Sequence, residues 1–194
     1  MDTKQIDRRI IRTKQGIQEA LTELLEKKSI NKISVKEITD IAGINRGTFY
    51  LHYVDKYDLM EKSINQLMIE ISETGSNILN LAQRNIHSEL SRKKLVDEFT
   101  TLFKYIQKNS RLIKSLTNEN SSYSFHHKFN ELLKDRLIAK LGPKQKDVPA
   151  IYIVSAFSYS IQGIIRTWLE SGMEDTADMM GEYTFNILEC YLKD

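Results

Sequence analysis

The chain has 194 residues, 41% of them hydrophobic and 28% charged, an ordinary composition for a soluble globular protein able to bury a core. Two prolines and eight glycines exclude collagen-like and low-complexity classes, and a lone cysteine, Cys190, excludes an intrachain disulfide and a thiolate zinc site, so a reducing, cytoplasmic setting is expected. Net charge is only +2, and residues 1–62 carry all of it, with 12 Lys/Arg against 10 Asp/Glu there and 16 against 16 in the rest; this permits a nucleic-acid partner without pointing to one.

In chain order, Met1–Lys14 mixes Asp7, Arg8, Arg9, Arg12 and Lys14 with isolated apolar residues, so no signal-peptide core is expected. Ile17, Ala20, Leu21, Leu24 and Leu25 then recur at helical spacing, predicting an amphipathic helix over about Arg8–Lys28, with a turn at Ser29–Lys32. Ser34-Val35-Lys36-Glu37 has capping-box form and opens a short helix sharing Val35, Ile38 and Ala42 on one face. Gly43 is placed to end it in the left-handed conformation. Asn45 caps a second short helix, about Arg46–Tyr53, and Asp55 caps a long one bearing Leu59, Met60, Ile64, Leu67, Met68, Ile71 and Ile78.

Further helices are expected over about Ser88–Gln107, Ser110–Leu116 and Tyr123–Leu141, the last stopped by Gly142-Pro143. Asp147, with Pro149 in the first turn, is expected to start a helix to about Ser171, and another covers about Asp175–Lys193. The densest apolar patch, Ala150–Phe157, is too short to span a bilayer, so no membrane partner is expected. No strand stands out. The fold class is all-α with about nine helices: a three-helix helix-turn-helix domain over residues 1–54 and a helical regulatory domain over 55–194.

The two short helices joined by Ala42-Gly43-Ile44 have the form of a helix-turn-helix, which lays one helix in the major groove while the other braces it. Phe49 and Tyr53, four residues apart, pack inward and leave Arg46 and Tyr50 outward with Gly47 beside them. Arg46 suits two parallel hydrogen bonds to guanine O6 and N7, and Gly47 admits close approach of the backbone. Thr48, Tyr50 and His52 carry donors for phosphate oxygens, as do Lys36 on the bracing helix, Ser34 at its cap and Lys56 at the start of the next helix.

Gly43-Ile44-Asn45-Arg46-Gly47-Thr48-Phe49-Tyr50-Leu51-His52-Tyr53, followed by Asp55-Lys56 and Leu59, closely resembles the signature of TetR-family transcriptional regulators, and the resemblance spans about Arg8–Met60. One departure is Thr39, where that family usually has a small alanine. The resemblance implies that Arg46, Gly47 and Thr48 face DNA and that Tyr50, His52 and Lys56 hold phosphates. The expected DNA-binding set is therefore Ser34, Lys36, Asn45, Arg46, Gly47, Thr48, Tyr50, His52 and Lys56.

Farther along, Gly163-Ile164-Ile165-Arg166-Thr167-Trp168-Leu169-Glu170-Ser171-Gly172 resembles a Gly-x4-Trp-x3-Gly pattern of one branch of that family, which includes the regulator of dihydroxyacetone kinase operons. The family implies a homodimer built by the last two helices, with Met180, Tyr183, Thr184, Ile187, Leu188 and Tyr191 as candidate interface residues and a palindromic double-stranded operator as partner. It also implies a small-molecule effector or a co-activator protein, with Phe103, Tyr123, Phe125, Phe129, Tyr159 and Trp168 as candidate pocket lining and Gln162 and Arg166 as polar anchors.

No catalytic or cofactor site is expected. The chain lacks a Gly-rich phosphate loop, a Gly-x-Ser-x-Gly elbow and a His-Glu-x-x-His site, and Ser91-x-x-Lys94 arises readily by chance among 28 basic residues. Adjacent His126 and His127 point about 100° apart on a helix, and although His127 with Glu131 is geometrically possible as a metal pair, a solvated or capping role is expected and no metal site. The alternative to a DNA-binding regulator is an interaction protein on the same fold, acting through a protein partner; intact Lys36, Arg46 and Lys56 argue against it.

Overall fold

The structure, a computed structural model, describes residues 3–75, 78, 88–117, 122–141, 144–145 and 148–192. The expected helix stop at Gly142-Pro143 and helix start at Asp147 lie outside the described residues, as do the side chains of Tyr123, Leu188, Cys190 and Tyr191. The chain falls into two compact units, Met1–Gln66 with Arg111–Phe125, and Leu67–Ser110 with His126–Asp194.

Nine α-helices lie among the described residues, so the all-α class stands. In the first unit α1 spans Thr3–Leu25 and buries Ile17, Ala20, Leu21, Leu24 and Leu25, the stripe read from the sequence. It starts earlier than expected because no proline or glycine interrupts Thr3–Arg8. A 3-10 turn at Ile30–Lys32 leads to α2, Val35–Ala42, then α3, Arg46–Tyr50, and α4, Lys56–Thr74, which belongs to this unit as far as Gln66. Thr39 is buried, and its hydroxyl donates to the Lys36 carbonyl at 2.9 Å, so the departure from alanine is accommodated without an orphaned polar atom. The helix α6, Ser110–Thr117, buries Ile113 and Leu116, and Arg111 grips Glu26 with two hydrogen bonds of 2.9 and 3.0 Å.

In the second unit α5, Glu89–Lys108, is capped by Ser88 and buries Leu95, Val96, Phe99, Leu102, Phe103 and Ile106. Helix α7, Ser122–Leu141, belongs to this unit from His126 onward, and α8, Ala150–Glu170, and α9, Ala177–Leu192, complete it. One strand pair was not expected: β1, Lys144–Gln145, pairs antiparallel with β2, Val148–Pro149, in the register Lys144 to Pro149 and Gln145 to Val148. This corrects the expected start of α8. The residue before a proline is driven towards extended backbone, so Val148 joins a bridge and Pro149 becomes the cap instead of a first-turn residue.

Trp168 is buried in the core of this unit. It meets Phe103 edge-to-face at 5.2 Å, and its indole N–H donates to the Asp175 carbonyl at 2.9 Å. That bond holds the Ser171–Thr176 connection, in which Gly172 and Met173 both take positive φ and the Met173 amide returns to the Trp168 carbonyl. Helix α9 begins two residues later than expected, with the Thr176 hydroxyl accepting from the Met179 amide.

Candidate nucleic-acid interface

The turn between α2 and α3 is built from local chemistry. At the start of α2 the Ser34 hydroxyl accepts from the Glu37 amide at 3.3 Å, while Glu37 Oε2 accepts from the Ser34 amide at 3.0 Å. Gly43 closes α2 at φ 64°, ψ 34°, a left-handed position where a side chain would be strained. Asn45 Oδ1 then accepts from the Thr48 amide at 2.7 Å and opens α3.

Helix α3 is shorter than the expected Arg46–Tyr53. Its regular part ends at Tyr50; the Leu51 amide still reaches the Gly47 carbonyl at 3.2 Å, but the His52 amide bonds Phe49 in the tighter i→i+3 manner. Phe49 is fully buried and meets Tyr50 and Tyr53 rings at 5.5 Å each. Arg46, at the first position of the helix, and Tyr50 are exposed. A Cβ at Gly47 would lie 3.3 Å from Asn45 Oδ1, so glycine here also protects the cap.

Several expected donors are engaged within the fold. The Ser34 hydroxyl donates to Glu37 Oε2 at 2.9 Å and the Thr48 hydroxyl to Asn45 Oδ1 at 3.0 Å. Asn45 therefore presents its amide N–H groups outward with no partner among the described residues. Lys56 donates to the carbonyls of Asn31 at 3.0 Å and Ile33 at 2.7 Å, clamping the segment that leads into α2. Nothing in the local sequence signals that role, because its partners lie 25 and 23 residues away. The His52 carbonyl accepts from Lys62, which also bonds Asp58 and lies over the Tyr53 ring, tying the end of α3 to α4.

By contrast, Lys36 and Arg46 are exposed, and their side chains have no ion pair or hydrogen bond among the described residues; Arg8, Arg9, Arg12, Lys14 and Lys32 share this state. Lys28 instead meets Glu37 at 2.5 Å. Cations that the protein leaves unneutralised are the ones available to phosphates. Leu51, which carries no assignment from sequence, is 80% exposed.

The capping box makes a pH prediction. Lys28 first, then the Ser34 amide and hydroxyl, hold the Glu37 carboxyl down from 4.5 to about 2. A pKa depressed by folding contributes stability that is present above the unfolded value of 4.5 and lost as pH falls towards about 2. Glu37→Gln is expected to flatten the thermal midpoint against pH across that window, and an unchanged acid slope would show that Glu37 contributes nothing to it.

The residues expected from the last helices separate. Phe103 and Trp168 are in contact in the core of the second unit, and Phe129 is buried there; Phe125 is buried in the first unit. Gln162 is buried in a polar cluster: its amide donates to Asn130 at 2.9 Å and Ser158 at 3.2 Å, its carbonyl oxygen meets His126, and Ser158 meets Asn130. Tyr159 is exposed, and Arg166 bonds Glu170 at the surface at 2.7 Å. Met180 and Thr184 are buried within their own unit because that side of α9 packs on α5, so this pair is withdrawn as an interface contact; Tyr183 and Ile187 are exposed. Among the described residues no cluster of three or more potential metal ligands occurs, and no helix is long and apolar enough to cross a membrane.

Comparison with known proteins bears on these elements. Residues 93–190 match the family described as "Transcriptional regulator C-terminal region", and residues 17–62 match "Bacterial regulatory proteins, tetR family". An uncharacterised HTH-type transcriptional regulator of Bacillus subtilis strain 168, YxbF, is 41% identical over 69 residues, which cover 35% of this chain and only 18% of that relative. The crystal structure of native NalD, the secondary repressor of a multidrug efflux pump in Pseudomonas aeruginosa, aligns with a TM-score of 0.64 at 19% identity, covering 94% of this chain and 97% of that one. The dihydroxyacetone kinase operon activator DhaS aligns with a TM-score of 0.53 at 19% identity, covering 93% and 96%. At such identities the structural likeness speaks for the fold alone.

Proposed function

The chain belongs to the TetR family of transcriptional regulators, DNA-binding proteins rather than enzymes, and we propose that it is a cytoplasmic repressor that binds a palindromic operator as a homodimer. The observation that carries this reading is the exposed Arg46 and Lys36, unneutralised among the described residues, on a capped helix pair in which the Ser34, Glu37 and Thr48 side chains are spent holding its shape. Arg46 reads a guanine; Lys36, Tyr50 and His52 hold phosphates around it, joined by the Asn45 amide. Residues 1–54 supply this function and residues 55–194 regulate it. The copies pair through α8 and α9, with Tyr183 and Ile187 at the interface, setting two α3 helices about 34–36 Å apart or a multiple of it.

An effector, small molecule or co-activator protein, must bind the DNA-competent and incompetent states unequally, since equal affinity shifts no population. The buried Gln162 cluster and the Phe103–Trp168 pair are the polar and apolar sides of the proposed effector site. A repressor and an activator both share the fold, so repression is the part of this proposal that reporter expression must decide.

Selection of bound duplexes from random sequence tests the core of the proposal. The expected result is one palindromic motif; recovery of no motif would refute operator recognition, and a non-palindromic motif would refute the dimer. On the selected duplex, Arg46→Ala is expected to cost roughly tenfold per half-site and relax one base position. Lys36→Ala is expected to weaken binding to all sequences alike and to reduce the slope of log affinity against log salt by about 0.9 per half-site. A slope that Lys36→Ala leaves unchanged would remove Lys36 from the phosphate contacts.

A further inference from the structure

The inward direction of α3 is set by Phe49, the fully buried residue of that helix. At about 100° per residue, Arg46, the first residue of the helix, then lies about 60° and Tyr50 about 100° from that direction, and Gly47 and Leu51 about 160°. The geometry therefore places Leu51, and not an arginine or tyrosine, at the outermost point of the helix. Two observations support the wheel. The Leu51 amide still bonds the Gly47 carbonyl at 3.2 Å, so the two residues are one helical turn apart on the same face. Leu51 is also 80% exposed, more than any other large hydrophobic among the described residues, whereas the neighbouring Tyr50 is 56% exposed.

A single exposed leucine is unremarkable on most surfaces. Here it stands beside Gly47, which has no side chain, so the pair forms an apolar projection next to a surface of bare backbone. Val54 is nearly as exposed but lies in the connection after α3, outside the helical face. In a major groove the one apolar group presented by base edges is the thymine C5-methyl. We infer that Leu51 is a specificity-determining residue that packs on a thymine methyl, selecting thymine at one position of each half-site beside the base read by Arg46. The inference rests on the DNA-binding reading above and deepens it.

The test uses the full chain and the duplex recovered by selection, with each thymine replaced in turn by deoxyuridine, which removes only the methyl. One symmetric pair of replacements is expected to weaken wild-type binding by roughly fourfold per half-site, the factor supplied by burying one methyl-sized group. Leu51→Ala is expected to bind the thymine and deoxyuridine duplexes equally, while still discriminating at the Arg46-dependent position. Indifference of the wild type to deoxyuridine at every position would overturn the assignment to Leu51 alone, as would discrimination that survives Leu51→Ala. Failure of the selection to yield any motif would instead fell the operator reading and this inference with it.

Discussion

Replacing Gly181 by alanine is expected to lower the unfolding free energy of the second unit by about 3 kcal/mol, the upper part of the usual range for overpacking. A Cβ built there meets Thr100 Oγ1 at 2.3 Å and the Thr100 amide nitrogen and Val96 carbonyl at 3.0 Å. The threonine side chain is short, branched and buried, and the other two atoms are backbone, so none can move aside alone. Helices α5 and α9 must separate, pulling apart the burial of Phe99, Phe103, Met180 and Phe185. Helix propensity acts the other way by about 1 kcal/mol, which makes a control available. Gly16 also sits inside a helix, but a Cβ there meets nothing within 4 Å, so Gly16→Ala is expected to stabilise by about 0.5–1 kcal/mol. Urea unfolding followed by circular dichroism compares the two. The same substitution with opposite signs would establish the close crossing of α5 and α9; a neutral or stabilising Gly181→Ala would show that the two helices are not that close.

The contrast between these glycines also marks what the sequence discloses. Ser34, Glu37, Gly43 and Asn45 act on backbone groups one to four residues away, so their roles follow from type and spacing, and the structure has them in those roles. The apolar stripe of α1 is legible for the same reason. Gly181 gives no local sign of its burden, because Thr100 is 81 residues earlier. Lys56 is similar: its charge and position at the start of α4 suit an anion, yet its partners are the Asn31 and Ile33 carbonyls. Met180 and Thr184 carry the right character for an interface, but which side of α9 meets α5 is decided by the glycine between them. Leu51 is an intermediate case. The angular arithmetic that sets Tyr50 at the side of the helix puts Leu51 farther out still, and a search confined to polar side chains passes over it.

Phe49→Ala is expected to have the largest effect on DNA binding, although Phe49 is fully buried and cannot touch DNA. Helix α3 has five residues, far below the length of about 12–15 at which an isolated helix becomes even marginal in water. The Asn45 cap contributes about 1 kcal/mol, too little to hold such a helix in place. Its position therefore depends on Phe49, whose ring packs at 5.5 Å from Tyr50 and Tyr53. Truncation to alanine is expected to cost about 3–5 kcal/mol of stability, with Phe49→Leu between the two. The functional pattern should differ from that of Arg46→Ala. On the proposed reading, losing Arg46 removes a base contact and leaves the phosphate contacts in register, so binding to arbitrary duplexes is expected to persist. Losing Phe49 releases the backbone that carries Arg46, Gly47, Tyr50 and Leu51 together, so specific and non-specific binding fall together. Amide exchange at residues 47–51 and gel shifts on the selected and scrambled duplexes read the two halves of this prediction. Protected amides with lost binding would mean that Phe49 does more than hold α3, and unprotected amides with retained specificity would mean that α3 is not the reading element.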